Sequence, residues 1–237
     1  MQETEIIYGR KPVIEVARKR PVHRIWLTES AASKMRKDLR VGKGLTSIVS
    51  KGEIARITGR SDHQGAAAEV ERYRYADFGA LSGLLSGIIV AADGITDPRN
   101  LGAVIRSAVL LGVEGIIIPE RYSASITPVV CHASAGGTEH IAISRVPSIL
   151  HSIGLLRKSG FVAACADLPS EATIDITRYS PPEKLLLVMG AEEGLRRRVR
   201  AACDVALSIP QRSTFDSFNV SVAASIILWE MTREAKK

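Results

Sequence analysis

From Gly87 onward the sequence alternates short, continuous apolar runs with helix-patterned ones, and this alternation narrows the fold more than any other feature. The runs GIIVAAD, EGIIIPE, HIAISRV, FVAACAD, KLLLVMG and VALSIP have strand length and no polar face. Among them, NLGAVIRSAVLLG, TPVVCHASAG, SILHSIGLLRKSG, GLRRRVRAAC and NVSVAASIILWEMTREA carry helical spacing. The first of these helices has Asn100 as its predicted N-cap and Gly112 as its stop, and SILHSIGLLRKSG ends at Gly160. Strands without a polar face must be covered on both sides. The pattern therefore predicts an α/β fold on a mostly parallel sheet.

The first third is organised differently. IIYGRKPVIEVARKR reads as a turn and then a helix. HRIWLTE, LTSIVS and AAAEVERYRY read as strands, and SAASKMRKDLR and GEIARITG as helices, giving a small α/β unit. The small, nearly uncharged stretch DFGALSGLLSG marks a boundary, so the predicted division is a first domain over 1–78, a linker over 79–87 and a second domain over 88–237. Residues 1–80 hold 16 Lys and Arg against 10 Asp and Glu, while 81–237 hold 16 against 15. Most of the +7 net charge thus lies in the first third, clustered in ARKRPVHR, SKMRKDLRVGKG and ERYRYADF. Such a footprint suits a polyanion, nucleic acid ahead of other partners.

Several classes are excluded or disfavoured. A 46% hydrophobic content supports a packed core and argues against disorder. No apolar run reaches the roughly 18 residues of a membrane helix, and MQETEIIYGRKP has no secretory pattern. Cys131, Cys165 and Cys203 are scattered, as expected for buried free thiols in a reducing, cytoplasmic setting. The five histidines show no metal-ligand spacing, so no metal is assigned. A GxGxxG after the first strand, a P-loop and a Gly-x-Ser-x-Gly elbow are all missing, which disfavours dinucleotide, P-loop and serine-hydrolase chemistry.

In open α/β sheets, ligands bind beyond the carboxyl ends of the strands. Three such ends carry polar residues that packing does not require: DGITDPRN, GAEEG and IPQRSTFDSFN. Each alone fits a turn or a cap, but the three together point to a site. Within the first helix, Arg106 stands among Val104, Ile105, Ala108 and Val109, where a buried guanidinium needs a partner. Gly102 lies one turn earlier on the same face. The arginine side chain is therefore expected to run over that glycine and emerge near Asn100, placed for a phosphate or carboxylate, or else to pair with an acid such as Asp97.

These pieces in this order resemble the SpoU-type RNA 2′-O-ribose methyltransferases of the trefoil-knotted SPOUT class. DPRNLGAVIRSAVLLGV resembles the first family motif, LLLVMGAEEGL the second and IPQRSTFDSFNVSVAASIILWE the third. SAGGTEHIAISRV is similar to the family's connecting segment. IIYGRKPVIEVA and DHQGAAAEV resemble its L30e-like RNA-binding domain, in the branch that modifies large-subunit ribosomal RNA. The resemblance implies a C-terminal trefoil knot, S-adenosylmethionine as cofactor, RNA as partner and a homodimer formed through the knot region. It implies a cofactor pocket lined by Gly190, Ile209 and Phe218. It places Asn100, Arg106, Glu192, Ser217 and Asn219 at the polar motif positions, with Glu193 as the alternative to Glu192.

The family's proposed base corresponds to Arg106, yet a guanidinium is normally protonated at neutral pH. Two roles therefore stand open for Arg106: transient proton acceptor, or cation that binds the neighbouring phosphate and stabilises the developing alkoxide. The chain departs from the family pattern in three places. GAEEGL is one residue short, DSFN replaces a serine-serine-leucine-asparagine run, and QRST lacks a common glycine. The last helix is apolar nearly all round up to Trp229 and is expected to be buried on several sides. Two alternatives are a transfer-RNA methyltransferase of this type and a catalytically silent RNA-binding or ribosome-assembly protein of the same fold.

Overall fold

The computed structural model describes residues 3–39, 44–191, 194–213 and 217–233. Its contacts group the chain into two units, one of residues 1–74 with 126–140 and one of 75–125 with 141–237.

The first unit holds strands β1 (Thr4–Tyr8), β2 (Val22–Leu27), β3 (Thr46–Ile48) and β4 (Ala66–Glu71), with helices α1 (Arg10–Ala17), α2 (Glu29–Met35) and α3 (Lys51–Thr58). The sheet order is β1-β4-β2-β3; β4 is antiparallel to β1 and β2, and β3 is parallel to β2. Thr28 and Ser50 cap α2 and α3 through their hydroxyls, and Gly59 closes α3 in the left-handed conformation. Strand β1 stands where the sequence predicts a turn. IIY is too short a run to show alternation by itself, and its strand character comes from pairing with the distant β4.

The unit is completed by helix α6 in chain order (Pro128–Ala133) and a 3₁₀ turn over Gly137–Glu139. By contact, residues 126–140 group with the first third, within the stretch that composition assigns to 88–237. Cys131 packs in one core with Ile7, Val13, Ile25, Met35 and Val70. Burial pushes its thiol up to about 12, as suits a structural cysteine. Arg20, 8% exposed, is held by Glu5 at 2.6 Å and by both carboxylate oxygens of Glu139, with its guanidinium 5.0 Å from the Tyr73 ring centre. Beside it, Glu15 is buried yet stays below the usual carboxylate range. Burial acts to raise it, but hydrogen bonds from Lys11 and His140 and the charge of Arg18 outweigh that.

The second unit begins with α4 (Phe78–Ser82), a helix inside the stretch expected as a linker, whose Leu81 is buried in the core. It continues through β5 (Gly87–Ala92), α5 (Pro98–Leu110), β6 (Gly115–Pro119), β7 (Ala142–Val146), α7 (Ile149–Lys158), β8 (Val162–Ala166) and β9 (Ile174–Asp175). It ends with β10 (Lys184–Met189), α8 (Arg197–Ala202), β11 (Val205–Ser208) and α9 (Val220–Arg233). The sheet order is β7-β6-β5-β10-β8-β11-β9, with every pairing parallel among the described residues. On one face Ile89, Ala91, Leu186 and Val188 pack with Leu81, Ile149, Ile153, Leu156 and Val199 of α4, α7 and α8. Val90 and Leu187 alternate with them and are equally buried, so the second face is covered too. The expected parallel α/β sheet is the one observed.

Arg20→Ala leaves the largely buried carboxylates of Glu139 and Glu5 without their cation, so it should cost about 3–5 kcal/mol of stability in urea unfolding. It should also open residues 126–140 to proteolysis; a loss below about 1 kcal/mol would remove Arg20 as the tie.

Candidate active site

The register of the central strands decides where the site lies. Met189 of β10 pairs with Ala92 of β5, and the Asp93 amide donates to the Met189 carbonyl at 2.8 Å. The loops that follow β5 and β10 therefore leave the sheet side by side. Asp93, 3% exposed, accepts from Arg196 Nε at 3.1 Å and from its Nη2 as well. This pair ties the start of the first loop to the end of the second.

In the first loop the Asp97 carboxylate accepts from the Arg99 amide at 2.7 Å, and Pro98 opens the helix. Asp97, not Asn100, is thus the N-cap of α5, as Pro at the first helical position favours. Asn100 sits in the first turn with its side chain committed elsewhere: its Oδ1 accepts from Asn219 Nδ2 at 3.1 Å. Asn219 in turn caps α9, accepting from the Ser221 amide at 2.9 Å and the Ser221 hydroxyl at 2.6 Å. The two helices stay together further along, where the hydroxyls of Ser107 and Ser225 lie 2.7 Å apart.

Arg106 is exposed, and no ion pair or hydrogen bond to it is found among the described residues. The residue is thus outside the core, and no pairing with Asp97 is found among the described residues. α5 is amphipathic: Leu101, Gly102, Val104, Ile105 and Ala108 are buried, while Arg99, Arg106 and Leu110 face outward. Arg106 lies two turns from Arg99 on one stripe of the helix. The final helix differs from expectation as well: Val220, Ala224, Ile227, Leu228 and Met231 are buried, but Val222 and Trp229 are exposed.

The two ends of the second loop lie close together. Gly194 donates from its amide to the Ala191 carbonyl at 2.9 Å. A Cβ on Gly190 would lie 2.8 Å from the Gly194 carbonyl carbon, so only glycine allows this approach. Glu192 and Glu193 lie outside the described residues.

Beside the second loop, between the end of β8 and α9, is a cavity of ≈ 360 Å³. It is lined by all three residues expected at the cofactor, Gly190, Ile209 and Phe218, and by Ser217 of the polar set. Met189, Leu195, Val220 and Ile227 supply apolar wall. Asp167 and Arg200, bonded to each other, line it from the end of β8 and from α8. Neither was singled out from sequence, although the rule that ligands gather at strand carboxyl ends applied equally to the Asp167 of ACAD. Among the described residues, no group of His, Cys, Asp and Glu is arranged to hold a metal, and no helix is long and apolar enough to cross a membrane.

Gly190→Ala should push Gly194 and Leu195 away and close part of this cavity. Amide exchange should accelerate at Ala191, Gly194 and Leu195 while β5 and β10 stay protected; unchanged exchange would show that the close approach is not needed.

Comparison with known proteins bears on what this cavity serves. Residues 87–229 match the family model described as the SpoU rRNA methylase family. Residues 6–76 match the one described as RNA 2′-O ribose methyltransferase substrate binding. An uncharacterized tRNA/rRNA methyltransferase of Mycolicibacterium paratuberculosis is 34% identical over 99% of this chain and 79% of its own. A protein of Staphylococcus haemolyticus named for the TrmH family of tRNA/rRNA methyltransferases is 31% identical over 98% and 96%. The SpoU methyltransferase AviRb of Streptomyces viridochromogenes shares the fold at a TM-score of 0.79, with 24% identity over 98% of this chain and 89% of its own. An AdoMet-bound rRNA methyltransferase of Sinorhizobium meliloti does so at 0.79, with 24% identity over 99% and 88%. The architecture is accordingly the knotted α/β fold of these enzymes. With more than half its length matched by the family model and a 34% identical relative along almost its whole extent, the chain belongs to the SpoU rRNA methylase family.

Proposed function

We propose that this protein transfers a methyl group from S-adenosylmethionine to a ribose 2′-hydroxyl of RNA, with ribosomal RNA as substrate ahead of transfer RNA. The observation that carries the reading is the convergence of Gly190, Ile209, Ser217 and Phe218 on one cavity at the carboxyl ends of the strands, in a chain of this family. The lining suits the cofactor. Met189, Leu195, Val220 and Ile227 offer apolar surface to a heteroaromatic ring, the bare backbone at Gly190 allows close approach, and Asp167 offers a hydroxyl acceptor. When bound, S-adenosylmethionine supplies an electrophilic methyl group.

The chain's own residues supply positioning and charge. Asn100 and Asn219, bonded to each other, hold the first turns of α5 and α9 together beside the cavity rim formed by Ser217 and Phe218. We assign Arg106 to the RNA phosphate next to the reacting ribose and to the negative charge that develops on its oxygen. Its exposure and its lack of a partner among the described residues favour a cation that meets substrate over a base tuned by neighbours. The match of residues 6–76 to a substrate-binding model and the basic excess of the first third support RNA as partner. The groove shared by the exposed Leu110 and Trp229 supports a homodimer. Light scattering is expected to give twice the chain mass, and a monomer would overturn that assignment.

The reading is tested by mapping 2′-O-methyl sites in total RNA with and without the gene. A ribosomal site should disappear. Loss at a transfer-RNA site instead would move the substrate, and no loss anywhere would remove the activity. Arg106→Ala should lower methyl transfer by about 10²-fold or more while S-adenosylmethionine binding, measured by calorimetry, stays near that of the wild type. Failure of the wild type to bind it would favour the silent RNA-binding alternative.

A further inference from the structure

The loop after β6, Glu120–Ser125, has features that neither the cavity nor the fold requires. Tyr122 is 82% exposed. Its φ is +60°, a region that bulky L-residues rarely adopt. A strained backbone persists only where its surroundings fix it. Here the fixing contacts are plain: Ser123 Oγ donates to the Ile95 carbonyl at 3.2 Å, and the Ala124 amide donates to the same carbonyl at 2.9 Å. The loop is therefore bound to the segment that leads into Asp97 and α5.

It also meets the second loop. A Cβ built on Gly94, whose φ is +79°, would lie 3.6 Å from the Ala191 side chain and 4.0 Å from the Tyr122 carbonyl oxygen. Ala191 lines the cofactor cavity. Tyr122 is thus one residue's width from the cavity wall, with its ring turned to solvent. On the other side of the loop, Arg145 donates to the Glu120 carbonyl at 2.9 Å and lies 5.4 Å over the Tyr75 ring. Arg121 is exposed beside Tyr122. Aromatic and cationic side chains are therefore gathered about this loop, Tyr75 and Arg145 on one side and Arg121 and Tyr122 within it, with the carboxylate of Glu120 among them.

Burial cannot explain the ring, because it is not buried, and the loop's hydrogen bonds among the described residues do not use it. A fixed, outward aromatic flanked by guanidinium groups is what a single-stranded nucleotide needs: a face for the base and cations for the backbone. We infer that Tyr122 is the stacking platform for an unpaired base next to the modified ribose, with Arg121 and Arg145 facing the flanking phosphates. Such a platform selects an RNA whose target lies in a loop or bulge, where a base is free to stack, over one held in a duplex.

This assignment rests on the proposed RNA methylation, and its test keeps the two apart. Tyr122→Asn removes the ring and suits the backbone, because asparagine tolerates positive φ. With rRNA and tRNA from a strain lacking the gene as substrates, it should raise KM for RNA at least about fivefold and leave the melting temperature and S-adenosylmethionine affinity unchanged. Tyr122→Phe should restore KM. Separately, emission from Tyr122→Trp, with the wild type as background for Trp26 and Trp229, should be quenched by a single-stranded oligoribonucleotide of about ten nucleotides and not by the same strand in duplex. If the wild type methylates RNA, an unchanged KM in Tyr122→Asn overturns the platform. If it methylates none, the proposed function falls and the fluorescence titration alone decides, with absence of quenching overturning the platform.

Discussion

The parallel pairing of β5 with β10 is the constraint on which the site depends. The two strands lie far apart in sequence, yet Gly87–Ala92 and Lys184–Met189 run in step along their full length. A slip of one residue would turn every side chain to the opposite face. It would also part Asp93 from Met189 and Arg196, and so release the second loop, which walls the cavity. The register is held by core rather than by the site. Ile89, Val90, Leu186, Leu187 and Val188 have no exposed surface and no polar alternative. Chemistry at the strand ends is thus positioned by apolar residues that take no part in it.

A second tie operates across the helices. The Asn219 amide is oriented by capping its own helix: Ser221 occupies its oxygen, so its nitrogen points to Asn100. One side chain therefore satisfies an orphan helix terminus and joins two motifs separated by 119 residues. The hydroxyl contact between Ser107 and Ser225 repeats the tie further along the same helices. Between the two contacts, α5 shows Arg106 to solvent, with Arg99 on the same stripe. The arrangement separates holding from reacting: the amides and hydroxyls are spent on each other, and the guanidinium groups face outward.

Much of this was legible in the sequence because its signals are local. Continuous apolar runs announce buried parallel strands, and Gly190, Ile209, Ser217 and Phe218, which motif order picks out, line one cavity. What escaped depends on partners distant in the chain. β1 is a strand because β4 lies beside it. α4 forms where composition suggested a linker, because Leu81 has a core to enter. Arg106 has apolar sequence neighbours, yet a 3.6-residue period carries it to the outer face of α5. Asp97 displaced Asn100 as the cap because a proline after it fixes where the helix starts. Asp167 and Arg200 line the cavity through a pairing across 33 residues that no spacing rule encodes.

The return of residues 126–140 to the first unit has a consequence for how the protein is made. Arg20 is synthesised early, and one of its carboxylates, Glu5, precedes it; the other, Glu139, comes 119 residues later. At about 5–20 residues per second, a ribosome takes roughly 6–24 s to supply it. Once residue 71 is made, β1, β4 and β2 can pair, but until residue 139 arrives the Arg20 cation lacks its second counter-charge, and until residue 131 the core lacks Cys131. Domains of the usual kind finish in the order of synthesis, the N-terminal one first. Here the N-terminal unit stays unfinished until well into the second, so translation speed over residues 75–140 sets how long an incomplete fold stands exposed.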